Sequence, residues 1–228
     1  MNKVCTYIAR SCLRAYYAYA AVLNRLMRWD RLFGRDFLVF PNVCPPIDHW
    51  EEILHHTQPH QRLLEVGCGA GRLTVFACKH ASHVTALDIS APAIRNTHLN
   101  LRKQGLSNYV LVQSDGLAGV HGAYDAIVSN PPWLRVPAEA PEKAFANSAS
   151  LISSLLQKAG HHMTPNGVLV IVYPKRYQHL LVTQAREHGL RLFLAEPRRT
   201  RGSLRSLIRN VLYLNIGLSP FVYVFRKC

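Results

Sequence analysis

At 228 residues and 49% hydrophobic content, the chain is long enough for one domain with a substantial core plus at most a small appendage. Lys and Arg number 27 against 13 Asp and Glu, a net charge of +14 that points to an anionic partner, nucleic acid first and an anionic membrane surface second. No apolar run reaches the roughly 18 residues a membrane span requires, which excludes a spanning protein. The six cysteines (Cys5, Cys12, Cys44, Cys68, Cys78, Cys228) form no C-x-x-C pair, so they read as free thiols of a reducing compartment, the cytoplasm, and not as a disulfide framework or zinc site. The scattered histidines read as surface residues, and no metal is expected.

Residues 4–28 have helical spacing, with Ile8, Cys12, Ala15, Tyr16, Tyr19, Val22, Leu23 and Leu26 on one face. Their basic residues and lack of acids resemble a leader, but no small-residue cleavage pattern follows, so residues 1–36 read as a helical N-terminal extension of the mature protein. A packed helix and a basic partner arm are both open. The domain proper is expected over 37–228. It begins with an extended stretch enforced by Pro41, Pro45 and Pro46, followed by a helix over 47–56.

Leu63-Leu64-Glu65-Val66 is a buried-strand run, and Gly67-Cys68-Gly69-Ala70-Gly71 separates it from a helix starting at Arg72. Strand, glycine turn and helix in that order form a ligand-binding context. The next strand, 83–88, ends in Asp88, about 20 residues on, where a carboxylate suits ribose hydroxyls. A helix over 91–105 leads to a strand over 109–113 and Ser114-Asp115-Gly116. A fourth strand, 124–129, runs into Asn130-Pro131-Pro132-Trp133. The two prolines stiffen that turn and leave its carbonyls to accept. An amide, a rigid turn and a flat ring together form a grip for a planar group carrying –NH2. A helix is expected through residue 162, then a turn at Pro165-Asn166-Gly167. Strands are read at 168–173, 190–195 and 221–225, with a helix over 176–188.

These pieces, in this order over residues 38–175, resemble the class I S-adenosylmethionine-dependent methyltransferases. More narrowly they are similar to the NPPY-type amino methyltransferases, which include HemK-like glutamine methyltransferases and the methyltransferase small group acting on RNA. The resemblance implies a doubly wound, Rossmann-like α/β sheet, mostly parallel with an antiparallel last strand. It implies S-adenosyl-L-methionine as cofactor, held by Glu65, Gly67, Cys68, Gly69, Gly71, Asp88, Ile89, Asp115 and Gly116. Glu65 takes the place of the acidic residue the family sets near the cofactor's amino group, and Asp115 suits the adenine amino group; a plain turn aspartate is the alternative. The extended segment before the domain is implied to help close the cofactor pocket. Asn130, Pro131, Pro132 and Trp133 are implied to grip the acceptor, with Trp133 either stacking on it or buried structurally.

The chain lacks the Arg-Pro-Glu-Thr-Glu signature of the glutamine enzymes and has Pro45-Pro46-Ile47-Asp48 instead. Residues 197–220 form a basic insertion carrying Arg198, Arg199, Arg201, Arg205 and Arg209. Either these arginines track RNA phosphates or they line a solvated helix face. The leading expectation is an N-methyltransferase acting on a base amino group in RNA. Protein glutamine methylation is the second, with a protein substrate as partner, and a non-catalytic RNA-binding module is the third. The acceptor and the oligomeric state are not legible.

Overall fold

The computed structural model describes residues 37–44, 50–59, 61–133, 149–197 and 220–228, together with helical residues at 15, 18, 19, 21, 22 and 24–26. In chain order the elements are α1 (Trp50–Leu54), β1 (Arg62–Val66), α2 (Arg72–His80), β2 (His83–Asp88), α3 (Ala91–Lys103), β3 (Tyr109–Gln113), β4 (Tyr124–Ser129), α4 (Ala149–Ala159), β5 (Met163–Pro174), α5 (Gln178–Glu187), β6 (Leu190–Pro197) and β7 (Pro220–Lys227). The strands form one seven-stranded sheet in the order β3-β2-β1-β4-β5-β7-β6. Pairing is parallel from β3 through β5, and β7 runs antiparallel to both β5 and β6. The last strand therefore inserts between its two predecessors.

The middle strands are apolar on both faces because helices cover both sides of a parallel sheet. Leu63, Leu64, Ala126, Ile127, Val128 and Leu169 to Val172 are fully buried. Local chemistry sets the helix ends. Ser90 caps α3, its Oγ accepting from the Ala93 N–H at 3.4 Å. Gly189, at φ 71°, lets the chain turn out of α5 into β6.

Two expectations change. Thr164 to Gly167 is not a turn that precedes a strand but an irregularity inside β5. Tyr124 pairs with Met163 and Ala126 with Val168, so the intervening residues bulge out of register. A Cβ on Gly167 would lie 3.0 Å from the Tyr124 carbonyl, which is why this bulge needs glycine. The strands β6 and β7 also run longer than read, to Pro197 and from Pro220 to Lys227, because each finds a full antiparallel partner in the other. The helix read over 47–56 is described from Trp50 to Leu54, and α3 stops at Lys103. Most of the 4–28 helix, the loop after Trp133 and the insertion beyond Pro197 lie outside the described residues. Among the described residues no helix is long and apolar enough to cross a membrane.

Candidate active site

The sheet order sets the site. With β3-β2-β1-β4 side by side and parallel, their carboxyl ends bring Asp115, Asp88, the glycine turn and Asn130 into one row. The direction of strand addition reverses at β1 and β4, the place where open α/β sheets leave a ligand crevice. Ser129 pairs with Val66 and its hydroxyl donates to the Val66 carbonyl at 2.8 Å, so Asn130 and Gly67 are the next residues out on adjacent strands.

The glycine turn is anchored from below and from one side. The Gly67 and Cys68 amides donate to the Leu87 carbonyl at 2.8 and 3.0 Å. The Gly69 amide donates to Asp88 Oδ2 at 2.9 Å, while Asp88 Oδ1 accepts from the Ser90 amide at 2.9 Å. The expected roles of the glycines separate. Gly67, at φ 86°, would carry a Cβ into open space, as a loop facing a ligand requires. Gly71, at φ 81°, would carry its Cβ to 2.8 Å from the Thr97 side chain, so its lack of a side chain serves the packing of the turn on α3.

Glu65 is 2% exposed at the end of β1. The Thr74 hydroxyl donates to its Oε2 at 2.6 Å. Burial pushes its carboxyl up to about 8, the Thr74 hydrogen bond pulls it down, and the charge of Asp88 adds to the rise. Among the described residues no cation contributes to this balance. A buried carboxyl held mostly neutral for want of a positive partner fits an incoming ammonium group. Asp88 is raised as well, chiefly by burial, against the three backbone amides that hydrogen-bond to it. The donor set thus suits S-adenosylmethionine, which carries an ammonium, ribose hydroxyls and an adenine amino group.

Asp115 is exposed in the turn after β3, and Gly116 beside it has φ 55°. The turn is tied in place by the Ser114 amide to the Asp88 carbonyl at 3.0 Å and by the Gly119 amide to Ser114 Oγ at 2.9 Å. Ile89 is half-buried. The Cys68 thiol, pushed well up by burial, is in bonding range of the Thr97 hydroxyl at 3.4 Å, so it is packing and not a nucleophile.

On the acceptor side, Asn130 Oδ1 is buried and has no hydrogen-bond partner among the described residues. An amide oxygen in that condition is costly unless a ligand donor meets it. Pro131 is buried and Pro132 half-buried. Trp133 is only 7% exposed and belongs to the core, so its ring is not laid open on the surface.

Sequence reading missed four contributors: Thr74 under Glu65, and Asn96, Thr97 and Asn100 on α3. Their signal is present, since polar residues at 96, 97 and 100 fall on the helical stripe between Ala93 and Leu101, where burial wants apolar ones.

Comparison with known proteins agrees with this geometry. The methyltransferase small domain family matches residues 48–188. A ribosomal RNA small subunit methyltransferase C from Pseudomonas aeruginosa is 33% identical over 148 residues, which cover 60% of this chain and 42% of that one. The chain therefore spans less than half the length of that relative. A methyltransferase structure from Pyrococcus furiosus superposes with a TM-score of 0.63 at 16% identity, covering 93% of this chain and 96% of the other. An N-methyltransferase from Bradyrhizobium japonicum in complex with S-adenosyl-L-homocysteine superposes with a TM-score of 0.56 at 16% identity, covering 86% and 90%. At such identities these two likenesses concern the fold.

Proposed function

The chain belongs to the methyltransferase small domain family, and from that premise we propose that it is an S-adenosylmethionine-dependent N-methyltransferase acting on a planar amino group of a base in RNA. The observation that carries the reading is the buried Asn130 Oδ1, without a hydrogen-bond partner among the described residues, one residue beyond the Val66–Ser129 pair.

Glu65, Asp88 and Asp115 would hold the cofactor's ammonium, ribose and adenine in that order along the edge. When bound, S-adenosylmethionine supplies an electrophilic methyl group on a sulfonium. The chain's own residues do the rest by alignment. An amino group on an sp2 carbon has a delocalised lone pair and is a weak nucleophile. Asn130 Oδ1 and the Pro131 carbonyl would accept its two hydrogens, turning the lone pair out of conjugation and stabilising the positive charge that grows on nitrogen. No side-chain base is needed, because the methylated ammonium is acidic and gives its proton to water. Trp133 would pack behind the turn or against the acceptor base, where stacking contributes about 1–3 kcal/mol.

RNA is favoured over a protein glutamine by the net charge of +14, by the missing Arg-Pro-Glu-Thr-Glu segment and by relatives named for ribosomal RNA. The domain reading, a helical extension over 1–36 and a methyltransferase domain over 37–228, is part of the same proposal. The test is transfer of labelled methyl groups from S-adenosylmethionine to total RNA, DNA and ribosomal protein fractions. Label appearing as an N-methylated base in RNA is the expected result, and label confined to protein would overturn the substrate assignment.

A further inference from the structure

Strand β5 outruns its neighbour. Ile171 pairs with Ser129, the last residue of β4, yet β5 continues through Val172 and Tyr173 to Pro174. At about 3.3 Å per residue, the extra length carries the chain roughly 10 Å past the end of β4. A single 3-10 turn, Lys175–Tyr177, follows there and leads into α5. The turn therefore stands one strand to the side of Asn130 and farther out along the same edge.

Its side chains are held from the core outwards. Tyr173 is 1% exposed and pairs across the strands with Phe221, so both rings lie on one face of the sheet. The Tyr177 ring lies 5.4 Å from that of Tyr173, tilted by 35°. The Arg176 guanidinium lies 4.6 Å from the Tyr177 centroid, and its Nη2 donates to Tyr177 Oη at 2.8 Å. Lys175 Nζ lies 5.2 Å from the Phe221 centroid. A buried ring thus supports a half-buried one, which supports an exposed guanidinium. Holding a long side chain in this way removes rotamer freedom before any ligand arrives, so binding loses less of it.

The charge of the turn is not met by acids. Glu196, near the end of β6, accepts from or donates to His56 Nε2 at 3.1 Å instead. Neither Lys175 nor Arg176 pairs with a carboxylate among the described residues. Adjacent like charges without a counter-ion favour an anion beside them. An exposed guanidinium plane favours a stacked base.

We propose that the Lys175–Tyr177 turn is a subsite for the nucleotide next to the acceptor in single-stranded RNA, its base stacking on the Arg176 guanidinium and its phosphate meeting Lys175. A surface arginine resting on its own tyrosine would explain the Arg176 contacts alone. It would not explain a second cation, also propped on an aromatic ring, in the same acid-free turn beside β4. The proposal rests on the RNA reading of the acceptor, and its test separates the two.

The measurement is fluorescence anisotropy titration of the full chain with a short labelled single-stranded RNA of mixed sequence, at several salt concentrations. Lys175→Gln should flatten the log–log salt slope by about 0.7, the loss of one phosphate contact. Arg176→Lys keeps the charge and loses the plane, so it should leave the slope alone and raise the Kd roughly 5- to 100-fold, the loss of one stacked base. An unaltered slope in the first variant, or an unaltered Kd in the second, would overturn the subsite; methyl transfer to RNA by the unaltered chain would then leave the acceptor reading standing. Neither RNA binding nor methyl transfer to RNA in the unaltered chain would remove both. An unchanged Kd for S-adenosylhomocysteine shows that the variants are folded. If one is not, ultraviolet crosslinking of the unaltered chain to the same RNA decides: an adduct in the peptide holding 175–177 supports the subsite, and adducts confined to other peptides overturn it.

Discussion

Glu65 offers a test that reads the cofactor site without any knowledge of the acceptor. Its carboxyl is raised from about 4.5 to about 8. A group of that pKa is roughly nine-tenths protonated at pH 7. If an ammonium is seated beside it, the carboxylate becomes the favoured form, its pKa falls, and the proton leaves. Binding of S-adenosylhomocysteine at pH 7 should therefore release close to one proton. The sign follows from linkage: the bound state holds fewer protons than the empty one, so affinity rises with pH between the ordinary carboxylate range and about 8. Between pH 6 and 7.5 the Kd should fall by up to about ten-fold per pH unit. Calorimetry in two buffers of different ionisation enthalpy counts the proton directly. Glu65→Gln keeps the size of the side chain and an acceptor for the Thr74 hydroxyl. It should abolish the release and weaken binding roughly 10- to 100-fold at pH 7.5, the loss of one hydrogen bond to a charged group. A proton count of zero in the unaltered protein, or the same count in Glu65→Gln, would refute this placement of the ammonium.

Asn130→Ala should leave the Kd for S-adenosylhomocysteine unchanged and lower kcat by about 100- to 1000-fold, as removal of one transition-state-stabilising group does elsewhere; turnover near that of the unaltered protein would make the turn merely structural. Asp88→Asn retains an acceptor for only one of the Gly69 and Ser90 amides, so it should weaken cofactor binding about 10- to 100-fold and lower Tm together, which calorimetry and a melting curve would show. Replacing Arg198, Arg199 and Arg201 with Gln should reduce the log–log salt slope of RNA binding by about 2, near 0.7 for each phosphate that is no longer neutralised. An unaltered slope in a filter-binding titration would assign those arginines to a solvated face.

Much of the fold was legible because the pattern was redundant. The runs at 62–66, 83–88, 109–113 and 124–129 became β1 to β4 at those bounds, since each is a short apolar stretch closed by a glycine or polar turn. Glu65, Asp88, Asp115 and Asn130 fall at the carboxyl ends that the strand order then gathers. What escaped reading was long-range. The bulge at Thr164 to Gly167 depends on register against Tyr124, some forty residues earlier, and not on local turn chemistry. The division of labour between Gly67 and Gly71 depends on where Thr97 lands. Asn100 and Asn96 bond the backbone of Leu38 and Phe40, about 60 positions away, and polar residues on a buried helix stripe announce a partner without naming it.

The far end of the sheet bears on the acceptor as well. β7 enters between β5 and β6, so Pro220 pairs with Pro174 and Phe221 with Pro197 at the carboxyl edge. The residues that bracket the basic insertion therefore sit on the same edge as Asn130, with β5 and β7 lying between β4 and β6. At about 4.8 Å per strand, the two brackets lie on the order of 10–15 Å from the end of β4. That span is of the size over which a nucleotide and its flanking phosphates extend. The described part of this edge already shows the same chemistry. Lys175 Nζ is 5.2 Å from the centroid of the Phe221 ring, and the Arg176 guanidinium is 4.6 Å from that of Tyr177. Cations propped on aromatic rings at an exposed edge are pre-ordered for anions and stacked bases. The antiparallel last strand bears on the proposed acceptor. β6 ends and β7 begins at the active-site edge, so both brackets of the basic segment lie there, where in the proposed reading its arginines would meet the phosphates of an acceptor held at Asn130, while the cofactor residues on β1, β2 and β3 lie on the other side of β4.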